Sequence, residues 1–279
     1  MDISPKTRVL KNLVTECLAL LRIAGRLPPD EADVRLLEVP ARLRDWSARL
    51  EAANDDIRVR ELPGLDGYTL WAETYDDEPD NCVIQSEEQH IWNALGPVAG
   101  KTVLDVGAGT GRHAVRLAEL GASVVASEPN ATLREVAIGK DRLARVRWLA
   151  LPIEDLPSNL GTFDLVLCCL VLSHVEDLCL AVRTLSRFVA VGGRLILTDF
   201  HPFNLMIGWR TGFNHDGKRY ALPNYLHLPS EYFRAIQATG LTIEDFLEVG
   251  GFPNMPDQPA TIIITGRRNR STEMPIRGL

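Results

Sequence analysis

The sequence predicts an α/β protein built on an open, doubly wound parallel sheet, and three observations carry that reading. An apolar run rich in β-branched residues, Val103-Leu104-Asp105-Val106, ends in glycines at alternate positions, Gly107, Gly109 and Gly111. Directly after them Ala114, Val115, Leu117 and Ala118 take the spacing of a helix face. From there strand-like and helix-like segments alternate, which pairs strands in parallel through right-handed crossovers.

The elements follow in order. Residues 1–60 form a helical appendage: Leu10, Leu13, Val14, Cys17, Leu18, Leu21 and Ala24 share a helix face, and Gly25 is a stop. Leu27-Pro28-Pro29-Asp30 breaks the chain before a second stretch with Leu43, Trp46 and Leu50 on one face. This appendage packs on the domain, covers the site, or pairs two copies as a homodimer. Residues 61–100 are a lead-in segment. Within 55–80 the chain is acidic and irregular, with Pro63-Gly64-Leu65-Asp66-Gly67 as a turn, and Glu87–Leu95 reads as a helix. The main domain covers 101–268, with strands near 102–106, 123–127, 145–150, 163–169 and 194–199 and helices near 111–120, 131–138 and 177–190. Strands near 241–249 and 260–266 complete a seven-stranded sheet. An insertion at 200–230 lies at the carboxyl edge, where ligands of such sheets bind. Residues 269–279 are a tail.

Composition narrows the classes. A chain of 279 residues holds one large domain with an appendage. A net charge of −7 gives no general reason to approach nucleic acid. No apolar run reaches the ~18–20 residues of a membrane span, and the N-terminus lacks the shape of a signal peptide. The five cysteines form no C-x-x-C pair, which fits a reducing cytoplasm. His90, His113 and His215 have no metal-ligand spacing, and no metal is expected.

The glycine spacing decides between nucleotide folds. A dinucleotide turn wants its third glycine at position 112, which is Arg112, and no Gly-Lys-Ser/Thr follows for a phosphate loop. Asp105-x-Gly107-x-Gly109-x-Gly111 resembles motif I of the class I S-adenosylmethionine (SAM)-dependent methyltransferases, closely over residues 100–200 and more loosely in the flanks. The segment Tyr68-Thr69-Leu70-Trp71-Ala72-Glu73-Thr74-Tyr75-Asp76 is similar to the stretch that precedes the core in their ubiquinone- and menaquinone-type branch.

The resemblance implies a Rossmann-like sheet with the last strand antiparallel, SAM as cofactor and S-adenosylhomocysteine as product. It makes Asp105, Gly107, Ala108, Gly109 and Gly111 the cofactor turn, with free N–H groups at the helix start as donors. Glu128, 23 residues after Asp105, is the expected ribose carboxylate, with Pro129 beside it and Asn130 as the next helix cap. Leu151-Pro152-Ile153-Glu154-Asp155 stands where the family meets the adenine, through the Ile153 backbone and the acid of Glu154 or Asp155; Leu170 lies beside the cofactor, and Tyr75 contacts it under a lid carrying Tyr68 or Trp71. The motif Leu172-Ser173-His174-Val175 makes His174 a candidate catalytic group. In the insertion, His201 and His227 are candidates for contacting the acceptor or taking its proton. The implied function is methyl transfer to a small molecule, a natural-product intermediate or a quinone-like ring. A tRNA or protein methyltransferase, a non-methylating SAM-binding protein and an NAD-dependent oxidoreductase are the competing readings, the last disfavoured by Arg112.

Overall fold

The computed structural model describes residues 59–77, 81–252 and 255–269, with helical positions at 41, 44, 45, 47 and 48. The first predicted helix, residues 270–279 of the C-terminal tail and most of the second helical stretch fall outside these. In chain order the elements are β1 (Val59–Glu61), α1 (Gly64–Trp71), α2 (Cys82–Leu95), β2 (Thr102–Val106), α3 (Arg112–Glu119), β3 (Ser123–Ser127), α4 (Ala131–Lys140), β4 (Val146–Leu149), β5 (Phe163–Cys169) and α5 (Leu178–Arg187). Then come β6 (Val189–Phe200), α6 (Pro202–Met206), β7 (Gly212–His215), β8 (Lys218–Ala221), α7 (Pro229–Gln237), β9 (Thr242–Phe252) and β10 (Met255–Arg267).

Seven strands form one sheet in the order β4-β3-β2-β5-β6-β10-β9. β2 to β6 pair in parallel, and β10 runs antiparallel to both β6 and β9. The order reverses between β2 and β5, so the carboxyl ends of these strands open onto the switch-point crevice. Because a strand's side chains alternate, each strand feeds two cores. Val103, Leu165, Leu167 and Ile196 pack with Ile91 and Leu95 of α2 and Leu117 of α3. Leu104, Val106, Val166, Leu195 and Leu197 pack with Leu185 of α5 and Ile236 of α7.

Two expectations change. Of the stretch 55–80, the described residues 59–77 are not irregular: they contain β1, α1 and a 3-10 turn at Tyr75–Asp77. Glycines and a proline concealed α1, which is held by packing. The second helix starts at Cys82 instead of Glu87, because the Asn81 side chain accepts the Ile84 N–H and caps it. The 200–230 insertion is also ordered, as α6 and the β7–β8 hairpin, and β8 pairs in parallel with β1. Lead-in and insertion therefore share a three-stranded sheet. Their common core stacks Trp71 on Phe213 at 4.9 Å and Phe213 on Tyr220 at 5.4 Å.

Phe213 is fully buried in that small core. Phe213→Ala should cost about 3–5 kcal/mol locally, the range for a truncated core phenylalanine. Hydrogen exchange should then accelerate across 59–77 and 212–221 and remain slow in β5.

Candidate functional site

The glycine turn leaves β2 and is built from backbone that only glycine adopts easily. Gly107, Gly109 and Gly111 have φ of +73°, +57° and +77°. A Cβ on Gly107 would stand 2.4 Å from the Val171 side chain. The turn's donors are largely used inside the fold, contrary to expectation. The Gly107 and Ala108 N–H groups both donate to the Ser127 carbonyl, at 2.8 and 3.0 Å, and Gly111 N–H donates to Ala108 O. Gly109 N–H donates to Glu128 Oε2 at 2.8 Å. What the turn offers a ligand is close approach to its main chain.

Glu128 follows β3 and is 5% exposed. Its Oε1 accepts the Asn130 N–H at 2.8 Å, so each carboxylate oxygen takes one backbone donor and keeps a lone pair. Burial raises its pKa, and the backbone donors of Asn130 and Gly109 oppose that rise. Asn130 caps α4 through Leu133 N–H, and its amide donates to Leu65 O and Thr69 Oγ1 of α1.

Two adjoining cavities lie at the strand ends. The larger, about 540 Å³, is lined by Gly107, Gly109, Glu128, Pro129, Ile153, Glu154 and Leu170, with Leu133, Leu151 and Val175 as apolar wall and Leu65, Tyr68 and Tyr75 as roof. Among its lining residues are two carboxylates, Glu128 and Glu154, and no lysine or arginine. The smaller, about 270 Å³, is lined by Trp71, Phe200, Trp209, Phe252, Ser173, Asp199, Arg210 and Arg219 among others. Tyr68, Tyr75, Leu170 and His174 line both. Leu170 has φ +58°, an uncommon conformation for a bulky residue, and its N–H donates to Thr198 O at 2.9 Å.

The sequence-predicted residues thus divide. Tyr75, Gly107, Gly109, Glu128, Pro129, Ile153, Glu154, Leu170 and His174 meet on cavity walls; Asp105, Ala108, Gly111, His201 and His227 do not. Asp105 lies beneath the turn, 2% exposed, with Oδ2 lacking a hydrogen-bond partner and its pKa raised by burial.

His201 is instead the cap of α6: its Nδ1 accepts Phe203 N–H at 3.2 Å and its Nε2–H donates to Glu248 at 2.9 Å. His227 donates from Nε2 to Val175 O at 2.7 Å. The idea that either histidine meets the acceptor is not supported by this geometry. His174 Nδ1 must donate to the Pro223 carbonyl, 2.8 Å away, so its Nε2 is the acceptor for the Tyr68 hydroxyl at 2.9 Å. Burial lowers the His174 pKa and raises that of Tyr68, so both are neutral near pH 7.

Sequence reasoning missed Asp199, at the end of β6. Its carboxylate accepts the Phe200 N–H and the Tyr232 hydroxyl, each at 2.8 Å, and it lines the smaller cavity. An acid at the carboxyl end of an otherwise apolar strand was the available signal. The roof is strapped down at Asp76, which accepts Thr110 Oγ1–H at 2.8 Å and pairs with Lys140 at 2.5 Å.

Beneath the turn Glu87 is fully buried and accepts from Arg112 and from the Thr198 hydroxyl. Burial pushes its pKa up, but Arg112, His113 and Thr198 outweigh that and hold it below the usual value. A depressed carboxyl contributes stability at pH above its unfolded pKa, about 4.3, and loses it as pH falls through the lower folded value. Glu87→Gln should therefore cost about 3–5 kcal/mol in urea unfolding at pH 7. The wild-type advantage should shrink as the same titration is repeated toward pH 3.

Comparison with known proteins agrees with this architecture. Residues 104–197 match the family model described as a methyltransferase domain. The demethylmenaquinone methyltransferase of Tropheryma whipplei strain Twist is 31% identical over 166 residues, 59% of this chain and 67% of that one. The ubiquinone biosynthesis O-methyltransferase of Methylobacterium sp. strain 4-46 is 30% identical over 176 residues, covering 56% and 66%. The magnesium protoporphyrin IX methyltransferase of Synechocystis PCC 6803, solved with bound SAH, superimposes with a TM-score of 0.55 at 21% identity, over 73% of this chain and 94% of that one. With motif I, the strand order and a relative matched over two thirds of its length in agreement, this chain belongs to the class I SAM-dependent methyltransferases.

Proposed function

We propose that this SAM-dependent methyltransferase holds its cofactor in the larger cavity and a small-molecule acceptor in the smaller one. The observation that carries the reading is their common wall of Tyr68, Tyr75, Leu170 and His174. Methyl transfer needs donor and acceptor in line and water excluded, and a shared wall between two roofed cavities meets both needs. Such enclosure favours a small acceptor over an RNA or a folded protein. The names of the two relatives refer to quinone biosynthesis, which supports a ring compound as the acceptor.

The residues of the larger cavity suit SAM. Bound there, the cofactor supplies a methyl group already activated by its sulfonium charge. Carboxylates without lysine or arginine favour that cation. The spare lone pairs of Glu128 are placed for a ribose diol, and Ile153, Leu133 and Leu151 form an apolar slot for the adenine, with Glu154 at its edge. Asp105, Ala108 and Gly111 act one layer back, setting the turn toward the methionine end. Tyr75 closes the roof; burial pushes its hydroxyl up to about 12, so it is an uncharged contact.

Tyr68 and His174 form the proton path at the junction. The acceptor's O–H or N–H proton passes to Tyr68 Oη as the Tyr68 proton passes to His174 Nε2, and the positive charge ends on His174. Holding Nδ1–H on Pro223 O keeps Nε2 in its accepting form.

Calorimetric titration with S-adenosylhomocysteine, NAD and ATP tests the cofactor assignment, with binding of the first alone expected. Glu128→Ala should weaken that binding by about 1–3 kcal/mol in a protein that stays folded, the scale of a lost charged partner. Unchanged affinity would remove the ribose role. Once an acceptor is found, Tyr68→Phe should lower kcat about 100-fold, the order of general-base contributions. A kcat within twofold of wild type would sink the proton path.

A further inference from the structure

We propose that Asp199 anchors the acceptor by receiving an O–H or N–H group other than the one that is methylated. The inference rests on the methyltransferase reading above and deepens it, because it requires an acceptor with a second hydrogen-bond donor. Asp199 is 1% exposed and lines the smaller cavity. Among the described residues no lysine or arginine forms an ion pair with it. A carboxylate enclosed without a cation has to be answered by neutral donors. The Phe200 N–H donates to Oδ1, the Tyr232 hydroxyl donates to Oδ2, and the Ser173 hydroxyl hydrogen-bonds to the group as well. Two carboxylate oxygens offer about four lone-pair positions, so one is left over at the cavity wall.

The other side-chain acceptors around this cavity are engaged. Asn81 Oδ1 caps α2 by accepting the Ile84 N–H at 3.2 Å, and Thr211 Oγ1 accepts the Asn224 amide at 3.1 Å. His174 Nε2 takes the Tyr68 hydroxyl, and Tyr68 Oη is the oxygen that the reacting group meets. Arginines can only donate. Arg210 does so to the carbonyls of Trp209 and Leu205, and Arg219 to Asn214 Oδ1 at 3.5 Å. Asp199 is what remains to receive a donor from the ligand.

The remaining wall is aromatic. Trp209 meets Phe252 edge to face, with centroids 5.0 Å apart, and Trp71 and Phe200 complete it. Rings of this kind hold a flat acceptor but leave it free to turn in its own plane. A hydrogen bond to a fixed carboxylate removes that freedom. Asp199 is near enough to His174 for each charge to shift the other's pKa, so the anchor lies beside the junction where the methyl group passes. A ligand without the donor leaves the carboxylate's last position unpaired in a cavity closed to water, and sites built this way reject such analogues.

The test uses the full chain saturated with S-adenosylhomocysteine and ligand-observed NMR titration. Pairs of phenols differ by one donor at nearly constant shape: resorcinol against 3-methylphenol, hydroquinone against 4-methylphenol, and 3- and 4-(hydroxymethyl)phenol against the matching ethylphenols. An aromatic cavity with nothing to receive the extra hydroxyl favours the alkyl member of every pair, which has more apolar surface to bury. With Asp199 as anchor, at least one donor member should instead bind about tenfold more tightly than its alkyl partner. Asp199→Asn should bring that pair within about twofold while S-adenosylhomocysteine affinity stays unchanged. Tyr68→Phe acts on the phenol group that both members share and should leave the ratio in place. If Asp199→Asn fails to bind S-adenosylhomocysteine, Asp199→Glu, which moves the carboxylate by one methylene, is measured and should also cut the ratio. Equal or tighter binding of the alkyl member in every pair overturns the proposal, as does a ratio lost in Tyr68→Phe and kept in Asp199→Asn. No binding of any probe to wild type that holds S-adenosylhomocysteine overturns it too. Wild type that binds no S-adenosylhomocysteine overturns the underlying methyltransferase reading instead.

Discussion

The cofactor half of this molecule hangs on one buried carboxylate. Glu87, on the second helix, is fully enclosed and receives Arg112 from the residue that follows the glycine turn and Thr198 from the sixth strand. A buried charge is tolerated only when it is paired and hydrogen-bonded, so the three elements must be docked together for any of them to be placed. Arg112 also reaches Glu88, whose other oxygen takes the Trp92 indole. The turn is therefore positioned from below by charge, while its own N–H groups are consumed on Ser127 and Glu128. The same Arg112 occupies the position a dinucleotide turn reserves for glycine. One residue thus excludes the wrong cofactor class and anchors the right loop.

The roof over the site is tied differently. Asp76 and Asn130 fasten the segment 64–77 through exposed or half-buried polar contacts, and the Trp71–Phe213–Tyr220 stack joins it to the insertion hairpin. Polar contacts of this kind are individually worth about 1 kcal/mol, far less than the packed sheet beneath. The covering segment is thus the least costly part of the site to open. The stack makes roof and hairpin move as one body, so access to both cavities is coupled.

How much of this was legible depended on whether the information was local. The strand–glycine–helix turn, the acid after the third strand and the strand–helix alternation are written in consecutive residues, and they reappear within a few positions. The small sheet was hidden because its strands, Val59–Glu61 and Lys218–Ala221, lie far apart in the chain and are three and four residues long. No periodicity can show in so few residues. Helix 64–71 carries glycines at 64 and 67, and a Cβ on Gly67 would stand 2.0 Å from Leu222. That glycine is a packing requirement of the hairpin above it, which sequence reading takes for a turn.

The histidines teach the same lesson about side chains. Residue type named three of them near the site as chemically able, but a ring is a base only where its free nitrogen points. His201 spends its lone pair on the helix cap and its N–H on a carboxylate, and His227 is held by the Val175 carbonyl away from both cavity walls. His174 differs because its proton is fixed on one nitrogen by Pro223, leaving the other facing a tyrosine that borders both cavities. Asp199, which sequence reading passed over, sits on the same floor and is held by Tyr232. What separates the groups is the tautomer and the direction of the lone pair, set for His174 and His227 by backbone carbonyls more than forty residues away in sequence. Chemistry in this fold is therefore assigned by the loops that hold the side chains, and the strand ends only supply the place.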